Sequence, residues 1–116
     1  MRRIIWAGPA LADVEDCLVW SAERFGRNAA ARYRHLIRTA VREIGKEPDL
    51  IGARRFEEFR PTAWIYHLRH SRKRAAVDGV VVKSPRHFVI YLEEPEALQI
   101  LRLLHDSMDI EAQFDP

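Results

Sequence analysis

The sequence predicts an α+β domain of order β-αα-βββ, with a helix hairpin packed on one face of a small antiparallel sheet. Three observations predict it. Apolar residues recur at helical spacing in two stretches between Pro9 and Gly45, separated only by Gly26. A pair of apolar runs of strand length, around Phe88 to Leu92 and Leu98 to Leu104, flanks the short turn Glu93-Glu94-Pro95-Glu96 and reads as a β-hairpin at the centre of the sheet. A chain of 116 residues, 47% hydrophobic and 31% charged, makes one domain over 1–116.

The elements follow in order. Residues 3–6 are β-branched and aromatic, stop at Gly8-Pro9, and form the first strand. Pro9 suits a first helical turn, and Asp13, Glu15 and Asp16 put negative charge near that helix's N-terminus. Leu11, Val14, Leu18 and Phe25, with Cys17 and Ala22, give its apolar side, and Gly26 ends it. Asn28 is placed to cap a second helix with the stripe Ala30, Tyr33, Ile37, Ala40, Val41 and Ile44; Gly45 and Pro48 close it. So short a link makes the helices antiparallel. Residues 48–61 read as a loop anchored by Phe56 and Phe59. The second strand is 64–70. A basic, then β-branched connection over 71–84 carries the turn signal Asp78-Gly79 and is expected as a mobile loop or projecting ribbon. The third and fourth strands are 86–93 and 98–105. A polar tail over 105–116 offers Ile110 and Phe114 for docking.

Several classes of chemistry find no support. A single cysteine, Cys17, cannot make an internal disulfide, and it sits on an apolar helix side. The histidines are scattered, without metal-ligand spacing, and there is no glycine-rich phosphate loop or nucleophile motif. No metal and no cofactor are expected. Met1-Arg2-Arg3 followed by Ile4-Ile5-Trp6 is too short for a signal peptide, and no segment approaches a membrane span. The expected setting is cytoplasmic. The net charge of +2 is mild, so local clusters matter more. Arg34, Arg38 and Arg42 make a stripe on the second helix, and Arg69-His70-Ser71-Arg72-Lys73-Arg74 make a second basic cluster.

The order of elements and the wording of several segments resemble the ParE/RelE superfamily of bacterial toxins from type II toxin–antitoxin modules. The matching segments are Pro9-Ala10-Leu11-Ala12-Asp13-Val14, Trp20 to Gly26, the second helix ending before Glu47-Pro48, Arg86 to Tyr91, and Ile100 to Asp109. Leu104-His105 followed by Met108-Asp109 resembles the ParE branch more closely. The resemblance implies the β-αα-βββ fold and a small, partly disordered, ParD-like antitoxin as partner. It implies one of two activities. ParE-like members inhibit DNA gyrase without being nucleases, whereas RelE-like members cleave mRNA on the ribosome.

Metal-free RNA cleavage needs a base, an acid and cations around the phosphate. His67, His70, Lys73 and Lys83 are of suitable types, and the set for an RNase reading is Arg69, Arg86, His87, Arg102 and His105. RelE-like enzymes draw Arg and Tyr from the segment after the last strand. Here that segment is Asp106-Ser107-Met108-Asp109-Ile110-Glu111, with no Arg, Lys or Tyr and with three carboxylates that repel RNA. Strand alternation puts His105 with Leu101 and Leu103, puts Arg102 with Ile100 and Leu104, and splits Arg86 from His87 unless a bulge intervenes. Each histidine and arginine also has a structural reading, as a strand-end hydrogen-bonding group. The reading is therefore a gyrase-binding toxin, with the ribosome-dependent mRNA endonuclease as alternative and a member that has lost toxicity as a third. Arg69, His70, Arg72, Lys73 and Arg74 are the expected target contacts. Trp20, Tyr33, Arg34, Arg38, Arg42, Trp64 and Tyr66 are the expected antitoxin contacts, with core roles open for the aromatics and a solvated face for the arginines.

Overall fold

A single residue joins the two helices. In the computed structural model, which describes residues 1–110 and 113, α1 spans Gly8–Phe25 and α2 spans Arg27–Lys46. Gly26 between them has φ of 95°, a conformation that side chains disfavour, and its N–H closes α1 on the Ala22 carbonyl. α2 starts immediately after it, so Asn28 lies inside the helix and not at its cap. The first turn of α1 holds no acidic residue; Asp13, one turn further on, faces the sheet.

The strands are β1 (Arg3–Trp6), β2 (Arg54–Arg55), β3 (Ala63–His67), β4 (His87–Glu93) and β5 (Ala97–His105), in the spatial order β1-β5-β4-β3-β2. The β4/β5 hairpin thus lies in the middle, as its apolar runs predict. The sheet is mixed and not purely antiparallel. β1 runs parallel to β5, pairing Arg3 with Ala97 through Trp6 with Ile100. Everything from α1 to β4 forms the long connection that parallel pairing requires. β2, inside the expected loop, adds two residues against Ile65 and Trp64.

α2 supplies Leu36, Ile37, Ala40 and Ile44 to the main core, where they meet Tyr66, Val89, Tyr91, Leu98 and Ile100. The opposite sheet face carries a smaller cluster of Phe56, Ala63, Ile65, Ile90 and Leu104, with Phe59, Leu101 and Ile110 packed against it. Phe56 and Phe59 therefore anchor the 48–61 segment as expected, and Ile110 docks. The docking assigned to Phe114 lies outside the described residues, as does Glu111.

Two departures shape the functional end. The β4/β5 register shifts, Ile90 facing Arg102 and Tyr91 facing Ile100, so Leu101 has no opposite number. This bulge breaks the expected alternation: Ile100 and Leu103 share the helix side, while Leu101 and Leu104 share the other. And β3 stops at His67. Its Nδ1 accepts the Arg69 N–H at 3.0 Å, turning the chain into a 3-10 turn at Leu68–Ser71. Arg69 and His70 therefore lie in a turn and not in a strand. Among the described residues no helix is long and apolar enough to cross a membrane.

Candidate functional site

The segment after the 3-10 turn forms a strap across the helix hairpin. Asp78 (φ 51°) and Gly79 (φ 78°) fold it back between Val77 and Val80, whose N–H and carbonyl groups bond reciprocally at 3.0 and 2.9 Å. Two positive φ values with Asp-Gly are the signature of a type I′ turn. Arg74 fixes the start of the strap by a bidentate pair with Glu43 on α2, and the Ser71 hydroxyl donates to the same carboxylate at 2.5 Å. Arg86 fixes its end, pairing with Asp106 at 2.9 Å while its backbone N–H reaches the Tyr33 hydroxyl at 3.1 Å.

Between strap and helices runs a groove of about 590 Å³, mainly apolar along Trp20, Phe25 and Val82 and polar at Tyr33, His87 and His105. Trp20 is 51% exposed and Phe25 66%, and their rings meet edge to face at 5.7 Å. Exposed aromatics paired along a groove are unusual for a solvated surface and suit a partner. Cys17 lines the groove as well; burial raises its thiol to about 11, so it is an inert thiol there.

Around the polar end three imidazoles, those of His87, His105 and the more deeply buried His67, are tied into one network through Arg86 and Asp106. Tyr33 Oη accepts from Arg86 N–H at 3.1 Å and shares a second hydrogen bond, of 2.6 Å, with His87 Nδ1. Burial, helped by the neighbouring His105, lowers His87 to about 4, and burial raises Tyr33. His67 Nδ1 accepts from Arg69 N–H, leaving its Nε2–H to donate to Asp106 at 3.0 Å. Burial lowers His67 despite that carboxylate. Burial works against ionisation of Asp106, but the Arg86 and His67 hydrogen bonds outweigh it and hold the acid at about 2. His105 Nδ1 accepts from both the N–H (3.1 Å) and the hydroxyl (2.7 Å) of Ser107. Its 3.7 Å approach to Asp106 is therefore no ion pair, because that nitrogen carries a lone pair and not a proton. Every Nδ1 in the cluster is engaged in a hydrogen bond within the protein.

Of the residues expected for an RNase, Arg86, His87 and His105 line the one groove, whereas Arg69 and Arg102 lie apart from it. Arg86 and His87 take opposite sheet faces, as alternation predicts: Arg86 joins Asp106 and His67, whereas His87 joins Tyr33 and stacks edge to face on His105 at 5.3 Å. Arg102 is not in the cluster. Its guanidinium forms a bidentate pair with Asp13 of α1 at 2.7 and 3.0 Å, and the same carboxylate caps Leu103 N–H at 2.9 Å. Lys83 is exposed on the strap, and Arg69 on the 3-10 turn.

The interface residues divide as well. Trp20 and Tyr33 line the groove, and Arg34, Arg38 and Arg42 are exposed along α2. Trp64 and Tyr66, expected as landing residues, are instead core: Tyr66 is fully buried with its hydroxyl on Ser71, and Trp64 donates to Glu93 at 3.0 Å. In the basic cluster, Arg69 and Lys73 are exposed and Arg72 is half-buried. Arg74 is exposed but paired with Glu43, and His70 packs beside Gly52 and Tyr66. Sequence reasoning missed the three carboxylates that organise this end: Asp13, Glu43 and Asp106. A signal existed for two. Asp13 falls between Ala10 and Cys17, and Glu43 beside Ala40 and Ile44, so each interrupts an apolar helix side where only a paired acid belongs. Among the described residues no group of His, Cys, Asp and Glu could hold a metal ion.

Comparison with known proteins agrees with the architecture. The chain shares its fold with a protein from the chromosomal ParDE toxin–antitoxin system of P. aeruginosa, at a TM-score of 0.65 and 17% sequence identity, over 90% of this chain and 96% of that one. No curated protein matches the sequence. Residues 4–110, however, match the family described as ParE toxin of type II toxin-antitoxin system, parDE. The match takes in both helices, all of the sheet but Arg3, the strap and the imidazole cluster, and the chain accordingly belongs to the ParE family of toxins from type II toxin–antitoxin systems.

Proposed function

We propose that this toxin stops growth by binding DNA gyrase, without catalytic chemistry of its own, and that a small ParD-like antitoxin encoded beside it neutralises it. The gyrase target comes from the ParE-branch character of the sequence. The observation that carries the non-catalytic reading is the state of the imidazoles. A general base needs a lone pair within reach of its substrate, and the Nδ1 atoms of His67, His87 and His105 are all engaged inside the protein. Asp13 and Asp106 also neutralise Arg102 and Arg86, two of the cations that a phosphate would need. Arg69, Arg72 and Lys73, clear of internal ion pairs among the described residues, are the basic residues offered to gyrase or its DNA.

The antitoxin occupies the groove. Trp20 and Phe25 anchor an apolar face of a chain end that folds on binding, and Tyr33 and His105 meet its polar groups. The protein acts in the cytoplasm, where its target is.

The pure toxin is expected to block gyrase supercoiling and to leave ribosome-bound mRNA intact. A mapped cut in that mRNA, with supercoiling unaffected, would establish the endonuclease reading instead. Growth unaffected by expression without the neighbouring gene would mean a member that has lost toxicity.

A further inference from the structure

On the far side of the strap from the apolar groove lies a second cleft, of about 580 Å³, with a different lining. Arg32, Arg34, His35 and Arg38 of α2 form one wall, and Asp78 and Val80 of the Asp-Gly turn form the other. Arg42 extends the wall by one more helical turn. None of the ion pairs among the described residues uses Arg34, Arg38 or Arg42. Three exposed guanidinium groups four residues apart on one helix repel one another. Arg2, Arg74, Arg86 and Arg102, by contrast, each have a carboxylate. Asp78 is the one acid among the lining residues.

We infer that this α2 face binds the sugar–phosphate backbone of duplex DNA, without reading sequence. Three features favour DNA over a protein partner. The lining holds no Phe, Tyr or Trp, the residues that commonly anchor protein interfaces. The arginines advance about 6 Å per step along the helix, close to the axial advance of two phosphates at about 3.4 Å each. And guanidinium groups present forked donors that match phosphate oxygens. The site is independent of the gyrase reading, since free DNA is the ligand that tests it.

The test is fluorescence anisotropy of a labelled duplex of about twenty base pairs, titrated with the purified full chain at several salt concentrations. Three phosphate contacts predict a salt slope of about −2.7, hence roughly 40-fold weaker binding on going from about 50 to 200 mM salt. Arg34→Ala/Arg38→Ala should lower that slope by about 1.8, whereas Arg34→Lys/Arg38→Lys, which keeps the charge, should preserve it. Arg54→Ala, at the far edge of the sheet, should change neither affinity nor slope by more than about one contact's worth. Circular dichroism of each variant confirms the fold. No binding at about 50 mM salt, or an unchanged slope in the alanine pair, overturns the inference. So does an alanine pair that loses antitoxin affinity while the wild-type chain ignores DNA, which would assign the face to a protein.

Discussion

Replacing Asp13 by alanine tests how the last strand is held against α1. Beyond Ile100, β5 has no neighbour on its outer edge, because β1 ends at Trp6. The Asp13 carboxylate takes the place of a strand there, accepting Leu103 N–H at 2.9 Å and both arms of Arg102. Two separate losses follow from Asp13→Ala. The Leu103 N–H, on a residue only 4% exposed, is left without an acceptor, which costs about 1–3 kcal/mol. Arg102 loses its partner but remains 23% exposed, so it recovers water, and its share is nearer 1 kcal/mol than the roughly 3–5 kcal/mol of a fully buried pair. The total is about 2–4 kcal/mol, or a fall in Tm of roughly 10–20 °C for a domain of this size. Arg102→Met should cost less than Asp13→Ala, because the carboxylate still caps Leu103. Urea unfolding of the two single variants and the double variant measures the coupling, expected at about 1–2 kcal/mol. Equal losses from the two single changes would refute the capping role, and a change below about 0.5 kcal/mol in Asp13→Ala would refute the whole account.

Other changes probe other parts of the fold. Stability should fall in two steps on acidification. Unfolded, the His87 imidazole takes its proton near pH 6.5, but folded only near 4, so the unfolded chain binds more protons across that window and stability declines from about 6.5 down to 4. Asp106, held at about 2 against 3.8 unfolded, adds a second decline below pH 4. His87→Gln should shrink the first limb, to which the lowered His67 and His70 also contribute, and Asp106→Asn should shrink the second, read as urea midpoints against pH; an unaltered first limb in His87→Gln would exclude that imidazole as a source. Gly52→Ala should destabilise by about 1–3 kcal/mol in thermal melts, since φ is 102° there and the new Cβ would lie 2.6 Å from the His70 ring. Trp20→Ala should weaken antitoxin binding by calorimetry at least 30-fold, about 2 kcal/mol, while changing stability by less than about 1 kcal/mol, because the ring is half exposed.

The local elements were legible because their signals are local. Periodicity located both helices, Gly26 located the break, Asp78-Gly79 located a turn, and the alternating apolar runs located β4 and β5. What was not legible depends on residues far apart in sequence. The parallel partner of β1 lies more than ninety residues away, and no window around Ile4 contains it. Leu101 reads as one more alternating residue until its register against Ile90 is known. Trp64 and Tyr66 look like interface aromatics by composition, and only the α2 packing above them shows that they are core. Among the site residues, the prediction that alternation splits Arg86 from His87 held, since it needs only the strand. That Asp106 would bridge Arg86 and His67 needed the β4/β5 register, which pairs His87 with His105 and so sets Asp106 opposite Arg86.

The strap between Arg74 and Arg86 is fastened at both ends by charge and crosses its middle on one Asp-Gly turn. No residue of the interior sheet passes through that middle portion. Ala75 and Val82 of the strap pack on the core, but the turn residues Asp78, Gly79 and Val80 are exposed, and a change there reshapes the basic cleft on one side and the groove on the other. Duplicated copies of this toxin in one cell therefore have an inexpensive route to mutual insulation. With the antitoxin in the groove as proposed, a residue gained or lost beside Gly79 is expected to alter which antitoxin fits, while the two arginine clasps keep the same protein underneath.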